Sequence, residues 1–538
     1  MQFVSFFGLA VLLGIAWVIS EHRSKVKVRT IFWGLGLQFL FAIIILRPDY
    51  WSFVGMALLG GVIGVYMLSR GPEPTKWGQI AASLVLVAAV AATLARFVPV
   101  GVMGWILLVT VAFMLINGHW NLIPKARALT STFFVAAGVG YLVAKGMNGQ
   151  AIFASLSGSV SNFLNLSDYG ARFLFGNLAD PAYYGPDAGW KGFGFLFAFK
   201  VLPTIVFFGG FMSVLYYLGI IQKVVESMAH FMRWTLGTSG AETLSCTANV
   251  FVGQTEAPLL IKPFLEGMTK SELLTIMVGG FATIAGGVLA GYIAMGVPAA
   301  HLIAASVMSA PAALVVGKII YPETEHSETG GDVSLPKIES GSNLIEAASN
   351  GITDGLKLAV NVGAMLLGFI ALIAVVDVTM NWMDSLIDGR LLGGAITTYS
   401  SGGLSPVTQE FVGFFPGSLQ TLFGTLLRPL AWVMGVPWAD AAKVGNLLGI
   451  KLSLNEFVAY GQLGSYIAEG ALSERAKIIA TYALCGFANF SSIGIQIGGI
   501  SAIAPSRRKD LARVGLKAMI GGAIASWITA TMAGMLIG

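Results

Sequence analysis

Two carboxylates lie where an apolar environment would charge a high cost for them. Glu256 sits in Thr247-Ala-Asn-Val-Phe-Val-Gly-Gln-Thr-Glu-Ala-Pro-Leu259, and Glu456 in Leu452-Ser-Leu-Asn-Glu-Phe-Val-Ala459. An ionised side chain at the centre of a membrane helix costs on the order of 2.5–3.5 kcal/mol, so such a residue normally faces a cavity or a partner. A structural ion pair, or a carboxylate meeting water at a helix end, would also satisfy that rule. The neighbours favour a binding site. Gln254, Thr255 and Glu256 are consecutive, and successive helical side chains point about 100° apart, so a regular helix cannot turn all three to one face. Gly253 before them and Pro258 after them let the chain unwind, which a bilayer tolerates only where backbone lines an enclosed site.

The second carboxylate has a parallel context. About 27 residues after Glu256 comes Ala282-Thr-Ile-Ala-Gly-Gly287, and 33 after Glu456 comes Phe487-Ala-Asn-Phe-Ser-Ser492. Each half thus reads as an interrupted segment, a carboxylate, and a span broken by small polar residues, the pattern of a repeat-built secondary transporter with a midplane site. Hydrogen bonding between helices is the plainer role for Thr283, Asn489, Ser491 and Ser492. Carboxylates only accept hydrogen bonds when ionised, whereas Gln and Asn amides both accept and donate. The set suits a small neutral solute rich in hydroxyl and amide groups, and Phe487 offers a face for a flat ring.

The elements that must position these residues are membrane helices. Of 538 residues, 56% are apolar or aromatic and 11% charged, against roughly 25% charged in soluble domains. Mean hydropathy is +0.78. Apolar runs near the required ~20 residues occur at about 3–20, 30–46, 51–69, 77–95, 100–116, 130–145, 193–221, 273–297, 300–320, 356–380, 475–503 and 514–537. The regions 235–265 and 440–470 are apolar but interrupted by polar residues and Gly or Pro. Four Lys/Arg in 21–29, and Arg507, Arg508, Lys509, Arg513 and Lys517 before the last run, place those two loops in the cytoplasm and both termini outside. The loop 321–342, with Glu323, Glu325, Glu328, Asp332 and Glu339 against Lys337, is read as an outside loop.

The absences prune the function. No G-x-x-x-x-G-K-[ST] phosphate loop occurs, the five histidines form no H-E-x-x-H, and no G-x-S-x-G elbow is present, so ATP hydrolysis and the common hydrolytic chemistries lack their machinery. Cys246 and Cys485 both lie in apolar stretches and read as small buried hydrophobes.

The strings Gly237-Thr-Ser-Gly-Ala-Glu-Thr243, Ala248-Asn-Val-Phe-Val-Gly-Gln-Thr-Glu-Ala-Pro-Leu259, Ile284-Ala-Gly-Gly-Val-Leu-Ala-Gly291, Leu454-Asn-Glu-Phe-Val-Ala-Tyr460 and Cys485-Gly-Phe-Ala-Asn-Phe-Ser-Ser492 resemble the concentrative nucleoside transporter family. Glu346-Ala-Ala-Ser-Asn-Gly351 and Asp354-Gly-Leu-Lys357 look like it too. The resemblance covers about 193–380 and 428–538, plus the first two spans. It implies an all-α polytopic membrane protein, an inverted-repeat homotrimeric transporter with two re-entrant hairpins, here about 235–258 and 440–457, enclosing one nucleoside. Carried over motif by motif, Gln254, Thr255 and Glu256 would face the base, Glu456, Asn489 and Ser492 would hold ribose hydroxyls, and Phe487 would pack near the base. Sodium would lie between the first hairpin and the following broken span, at Asn249, Val252, Thr283 and Ile284; a proton is the alternative coupling ion. Gly253 leaves room compatible with purines as well as pyrimidines. A bacterial inner membrane is the expected location, with no cofactor beyond the coupling ion and no nucleic-acid partner.

These readings divide the chain into first spans (1–47), extra spans (48–146), an interfacial helix and loop (147–192), a core with the first hairpin (193–320), an outside loop and scaffold span (321–385), an inserted loop (386–427) and a core with the second hairpin (428–538). Short bacterial relatives lack the extra spans, whose even number preserves the topology that follows. The expected function is a cation-coupled nucleoside symporter. A membrane-embedded enzyme using Glu256 and Glu456 as acid and base, or a passive channel, are the competing classes.

Overall fold

A computed structural model describes residues 1–69, 77–120, 126–183, 196–329, 341–399, 406–407 and 410–537. Parts of the expected loops at 147–192, 321–342 and 386–427 lie outside the described residues. Among those described, structure is helical apart from one isolated bridge between Tyr399 and Pro406. Among the described residues, six helices are long and apolar enough to cross a membrane.

The chain forms two compact units, 36–157 and the remainder (1–35 with 158–538). In the smaller unit, helices Tyr50–Ser69, Trp77–Phe97, Val100–Trp120 and Ala126–Ala144 pack through small residues. A Cβ on Gly60 would lie 3.1 Å from Val135 and one on Gly64 3.1 Å from Thr132. That close approach is how membrane helices gain packing energy where lipid offers no hydrophobic contrast. Ile44, Met56, Ala91 and Val139 form its buried cluster.

The larger unit contains two matching assemblies that run in opposite directions. In the first, a short helix Gly240–Ala248 leads to an irregular tip at 249–256, a 3₁₀ segment Ala257–Phe264 returns, and Lys270–Ala282 and Gly286–Ala294 form a helix broken at 283–285. In the second, Trp438–Ser453 leads to a tip at 454–455, Glu456–Ala468 returns, and Glu474–Leu484 and Phe490–Ile503 form a helix broken at 485–489. The polar residues that interrupted the apolar pattern are the helix starts themselves. Asn455 Oδ1 accepts from Val458 N at 2.9 Å and Asn489 Oδ1 from Ser492 N at 2.9 Å. Each Asn satisfies an amide that a helix starting inside an apolar medium would otherwise leave bare.

Contacts at the ends fix the directions. At one end, Arg507 donates to the carbonyls of Glu266 (2.8 Å) and Met268 (2.5 Å), Gly240 N to Thr329 O (2.8 Å), and Lys517 pairs with Glu21. The outer ends of the first pair of arms, 237–240 and 265–268, therefore lie here. At the other end, Ser473 Oγ donates to Asp440 (2.5 Å), Lys443 Nζ to Ala471 O (2.8 Å), and Arg475 Nε to Gly435 O (2.7 Å). Both termini also meet there, with Gln2 Nε2 3.4 Å from Ile537 O and Arg475 Nη1 2.6 Å from the same carbonyl.

One expectation is overturned by these contacts. Glu21 N donates to Ile320 O at 2.9 Å, and the rings of His22 and Tyr321 meet edge to face. The acidic segment 321–329 thus lies at the same end as the basic loop 21–29, so the two cannot face opposite compartments. The positive-inside bias counts Lys and Arg and gives acidic residues little weight. Glu323 is moreover engaged by Lys318 and by Thr269 Oγ1 (2.8 Å). The amphipathic stretch near 343–360 and the span 356–380 are one continuous helix, Leu344–Leu386, started by Asn343 capping Glu346 N at 2.9 Å.

Candidate functional site

The two tips and the two breaks converge. Gly486, in the second break, has φ +109°, and a Cβ there would collide with the carbonyl of Phe281 and with Ala282 at the first break. Only glycine combines that backbone with such an approach.

Around this crossing the structure gathers four of the sequence-predicted residues. Gln254 Nε2 donates to Ser492 Oγ at 3.2 Å, joining the first tip to the second broken helix. Asn489 Nδ2 donates to Glu456 Oε2 at 3.3 Å, joining that helix to the second tip. All four are buried, yet each belongs to a helix start or an irregular turn. Their side chains bond to one another across the crossing, and through Tyr292 and Gln496, in place of lipid or water.

The other predicted residues are placed differently. Glu256 is exposed, three positions beyond Gly253, and lines a crevice of about 620 Å³ with Met212, Tyr216, Phe251, Asn350 and Asp354. That volume is within the range of small-molecule sites, about 300–1,000 Å³. A Cβ on Gly253 would meet the Glu256 carboxylate, so the room beside this glycine is held by a movable side chain. Thr255 is half-buried against Gly499, and Phe487 is half-buried in the second break.

The predicted cation residues occupy the first tip and the first break. Asn249, Val252, Thr283 and Ile284 are all buried. The tip and break adjoin, since Gly286 N donates to Phe251 O at 3.3 Å. Asn249 Nδ2 is spent on Ser245 O at 3.1 Å, while its Oδ1 is buried with no hydrogen-bond partner. Thr283 Oγ1 donates to Gly279 O at 2.8 Å, which leaves its lone pairs to accept or ligate. An orphaned amide oxygen in the tip and a hydroxyl in the adjoining break are oxygen donors of the kind that fits a hard cation.

Two contributors were not singled out from the sequence. Tyr292 Oη donates to Glu456 Oε1 at 2.9 Å from the upper half of the first broken helix. Gln496 Nε2 donates to Gln254 Oε1 at 3.0 Å and to Met277 O at 3.2 Å. Gln496 falls one helical turn after Ser492, so the four-residue spacing was a usable signal. Tyr292 carried none, because aromatic residues abound in every apolar run.

A buried charge cluster anchors the outer end of the first tip's arms. Lys318 pairs with Glu242 at 2.7 Å and donates to Ser271 Oγ at 2.8 Å. Glu242 closes a capping box with Ser239, and Glu272 closes another with Thr269 while accepting from Ser327 and Thr329 at 2.6 Å each.

Three sequence families map onto the chain in order. Residues 7–58 match the family described as Na+ dependent nucleoside transporter N-terminus, 198–299 the one described as Gate, nucleoside recognition, and 301–534 the Na+ dependent nucleoside transporter C-terminus. The nucleoside permease NupC of Helicobacter pylori is 40% identical over 77% of this chain and 92% of its own. Sodium/nucleoside cotransporter 2 of Rattus norvegicus is 34% identical over 99% of this chain and 63% of its own. Among solved structures, CNTnw in an inward-facing substrate-bound state superposes with a TM-score of 0.67 at 33% identity, covering 100% of this chain and 99% of that one. The chain is a multi-pass membrane transporter, not an enzyme, and belongs to the concentrative nucleoside transporter family.

Proposed function

We propose that this protein imports nucleosides by symport with sodium. The observation that carries the reading is the convergence of Gln254, Glu456, Asn489 and Ser492 at the meeting of two tips and two breaks, with the orphaned oxygen of Asn249 in the first of those tips. Glu456 accepts from Tyr292 and Asn489, and an ionised carboxylate can accept both hydroxyls of a ribose diol in the same manner. Asn489 and Ser492 stand beside it as further partners for the sugar. Gln254, Thr255 and Glu256 would present acceptors and donors to the edge of the base, with Glu256 already turned to the crevice. Phe487 would cover a face of the base.

In this reading the two arm-and-tip elements are re-entrant hairpins, one entering from each side of a bacterial inner membrane, and three chains assemble as a trimer. Sodium is the coupling ion, held by the Asn249 and Thr283 oxygens with backbone carbonyls of Val252 and Ile284. Its binding orders the first tip, and that tip completes the nucleoside pocket, so occupancy of one site favours the other. One elementary charge moved inward supplies about 2.3 kcal/mol per 100 mV.

The test is uptake of radiolabelled uridine and adenosine into proteoliposomes under an inward sodium gradient, an inward proton gradient, or neither. Sodium-driven accumulation supports the whole reading. Proton-driven accumulation would keep nucleoside import and replace the ion. Flux without accumulation would make the protein a channel.

A further inference from the structure

The distal end of the helix Leu344–Leu386 and the turn Ile387–Leu392 carry three carboxylates, Asp377, Asp384 and Asp388, that the transport chemistry does not use. All three are buried, Asp384 and Asp388 with no exposed surface. The following chain folds back onto them. Leu419 N donates to Asp377 at 2.7 Å, Thr397 N to Asp384 Oδ2 at 2.8 Å, and Phe414 N and Phe415 N each to Asp388 Oδ2 at 2.9 Å. The fit is close enough to require glycines. A Cβ on Gly417 would fall onto Asp384 Oδ2 and Thr397 Oγ1, and one on Gly413 onto Asp388 Oδ2 and the carbonyl oxygen of Ala395.

Backbone amides account for only part of this charge. Asp384 and Asp388 are four residues apart, one helical turn, so the two buried carboxylates are neighbours on one face. Asp384 Oδ1 is inaccessible and has no donor. Two adjacent buried anions need a counter-charge, and the surrounding chain has none to give. No Lys, Arg or His occurs between Leu391 and Leu427. Arg390 is exposed, and Arg428 is committed to Glu410 and to the face of Trp438.

We infer that Asp384 and Asp388 form a binding site for a hard divalent cation of the calcium class, with the Thr397 hydroxyl and the Ala395 carbonyl in the same oxygen cluster. The donors are all oxygen, as calcium prefers, and flexible loops tolerate its irregular geometry. This end of the helix lies toward the end that holds both termini, because the chain bonded to Asp377 at Leu419 continues through Arg428–Val433 to Gly435, whose carbonyl accepts from Arg475 there. By the positive-inside rule it faces outward, where sites of about 10⁻⁴–10⁻³ M affinity are filled by external calcium. The bound ion would pin Ala395, Thr397 and residues 413–417 onto the end of the long helix.

The experiment uses the full-length protein in nanodiscs at constant sodium, stripped with EGTA and then given calcium or magnesium. Equilibrium dialysis with radioactive calcium should show binding at a single site per chain, and the melting temperature should climb with the logarithm of calcium concentration, as linkage requires. Asp384→Asn should weaken calcium binding by about tenfold or more, whereas Asp377→Asn, which removes a charge outside the pair, should keep it. Absence of bound calcium on the wild-type protein at millimolar concentration would overturn the site and leave a carboxyl pair sharing a proton. Equal binding by Asp384→Asn would overturn it as well. The wild-type dialysis decides the question even if the variant fails to fold.

Discussion

Tyr292 Oη lies 2.9 Å from Glu456 Oε1, and the two residues belong to opposite assemblies of the core. The upper half of the first broken helix thereby orients the carboxylate at the tip of the second. Tyr292 is itself fully buried against Phe457 and Tyr460, with ring centroids 5.0 and 4.4 Å away, so the hydroxyl has little freedom to point elsewhere. A hydrogen bond to a charged group contributes about 1.5–3 kcal/mol. Tyr292→Phe should therefore raise the KM for nucleoside about tenfold while the apolar packing of the ring keeps the protein folded. Uptake kinetics on the purified variant check this; an unchanged KM would show that Asn489 alone orients the carboxylate.

Glu456→Gln is the harsher change at the same place. It replaces an anion that accepts on both oxygens by an amide that must donate on one side, against Tyr292 and Asn489, which are already donors. Binding of nucleoside should be lost with the protein still monodisperse, measured by calorimetric titration and size exclusion. Normal binding by a well-behaved variant would remove Glu456 from the site.

Most of the fold was legible in the sequence because a bilayer imposes one strong constraint, an apolar run of sufficient length, and each such run is helical in the structure, the runs 273–297 and 475–503 as pairs of helices with a break between them. The breaks were legible for the same reason, since Asn455, Asn489 and Thr283 are polar where a regular span would not allow it. The inverse arrangement of the two assemblies was readable only as a repeated order of features, for no local pattern reports direction. The side of the membrane taken by 321–329 was misread because acidic residues carry little topological weight, and Glu323 in particular is spent on Lys318. Tyr292 and the Lys318 cluster were invisible for a related reason: their roles depend on partners distant in sequence, Glu456 for Tyr292 and Glu242 for Lys318.

That cluster gives a stability prediction. Lys318→Met leaves Glu242 buried without its cation, and removing one member of a buried pair costs about 3–5 kcal/mol. The melting temperature should drop sharply, and adding Glu242→Gln should restore a large part of it by removing the stranded charge. Thermal unfolding of the two single variants and the double variant forms the cycle. Additive losses would mean that Lys318 and Glu242 do not act as a pair.

Gly486 should be the least replaceable residue of the crossing. Its φ of +109° and its contact with the carbonyl of Phe281 mean that alanine must both adopt a disfavoured backbone and push the two breaks apart. An adverse backbone conformation costs about 1–3 kcal/mol, and overpacking adds about 1–3 kcal/mol. Gly486→Ala should lower thermal stability and also abolish uptake, because the breaks hold Asn489 and Thr283 in register. A variant with reduced stability but wild-type uptake would show that the breaks tolerate separation.

The sodium reading is testable through Asn249 and Thr283. Asn249 Oδ1 is an acceptor without a donor, a costly arrangement unless something positive occupies it, about 1–3 kcal/mol for a buried polar atom. Asn249→Ala and Thr283→Ala each remove an oxygen from the first tip and break without touching the Glu456, Asn489 and Ser492 cluster. Both variants should shift the sodium concentration for half-maximal uptake upward, by about tenfold for the loss of one ligating group worth about 1.4 kcal/mol. Saturating sodium should restore much of the transport rate, because the nucleoside contacts are intact. Linkage adds a second signature: sodium should tighten nucleoside binding to the wild-type protein, and nucleoside should tighten sodium binding by the same factor. A sodium response identical to wild type in both variants would sink the cation assignment, and protons would then be examined at the same oxygens.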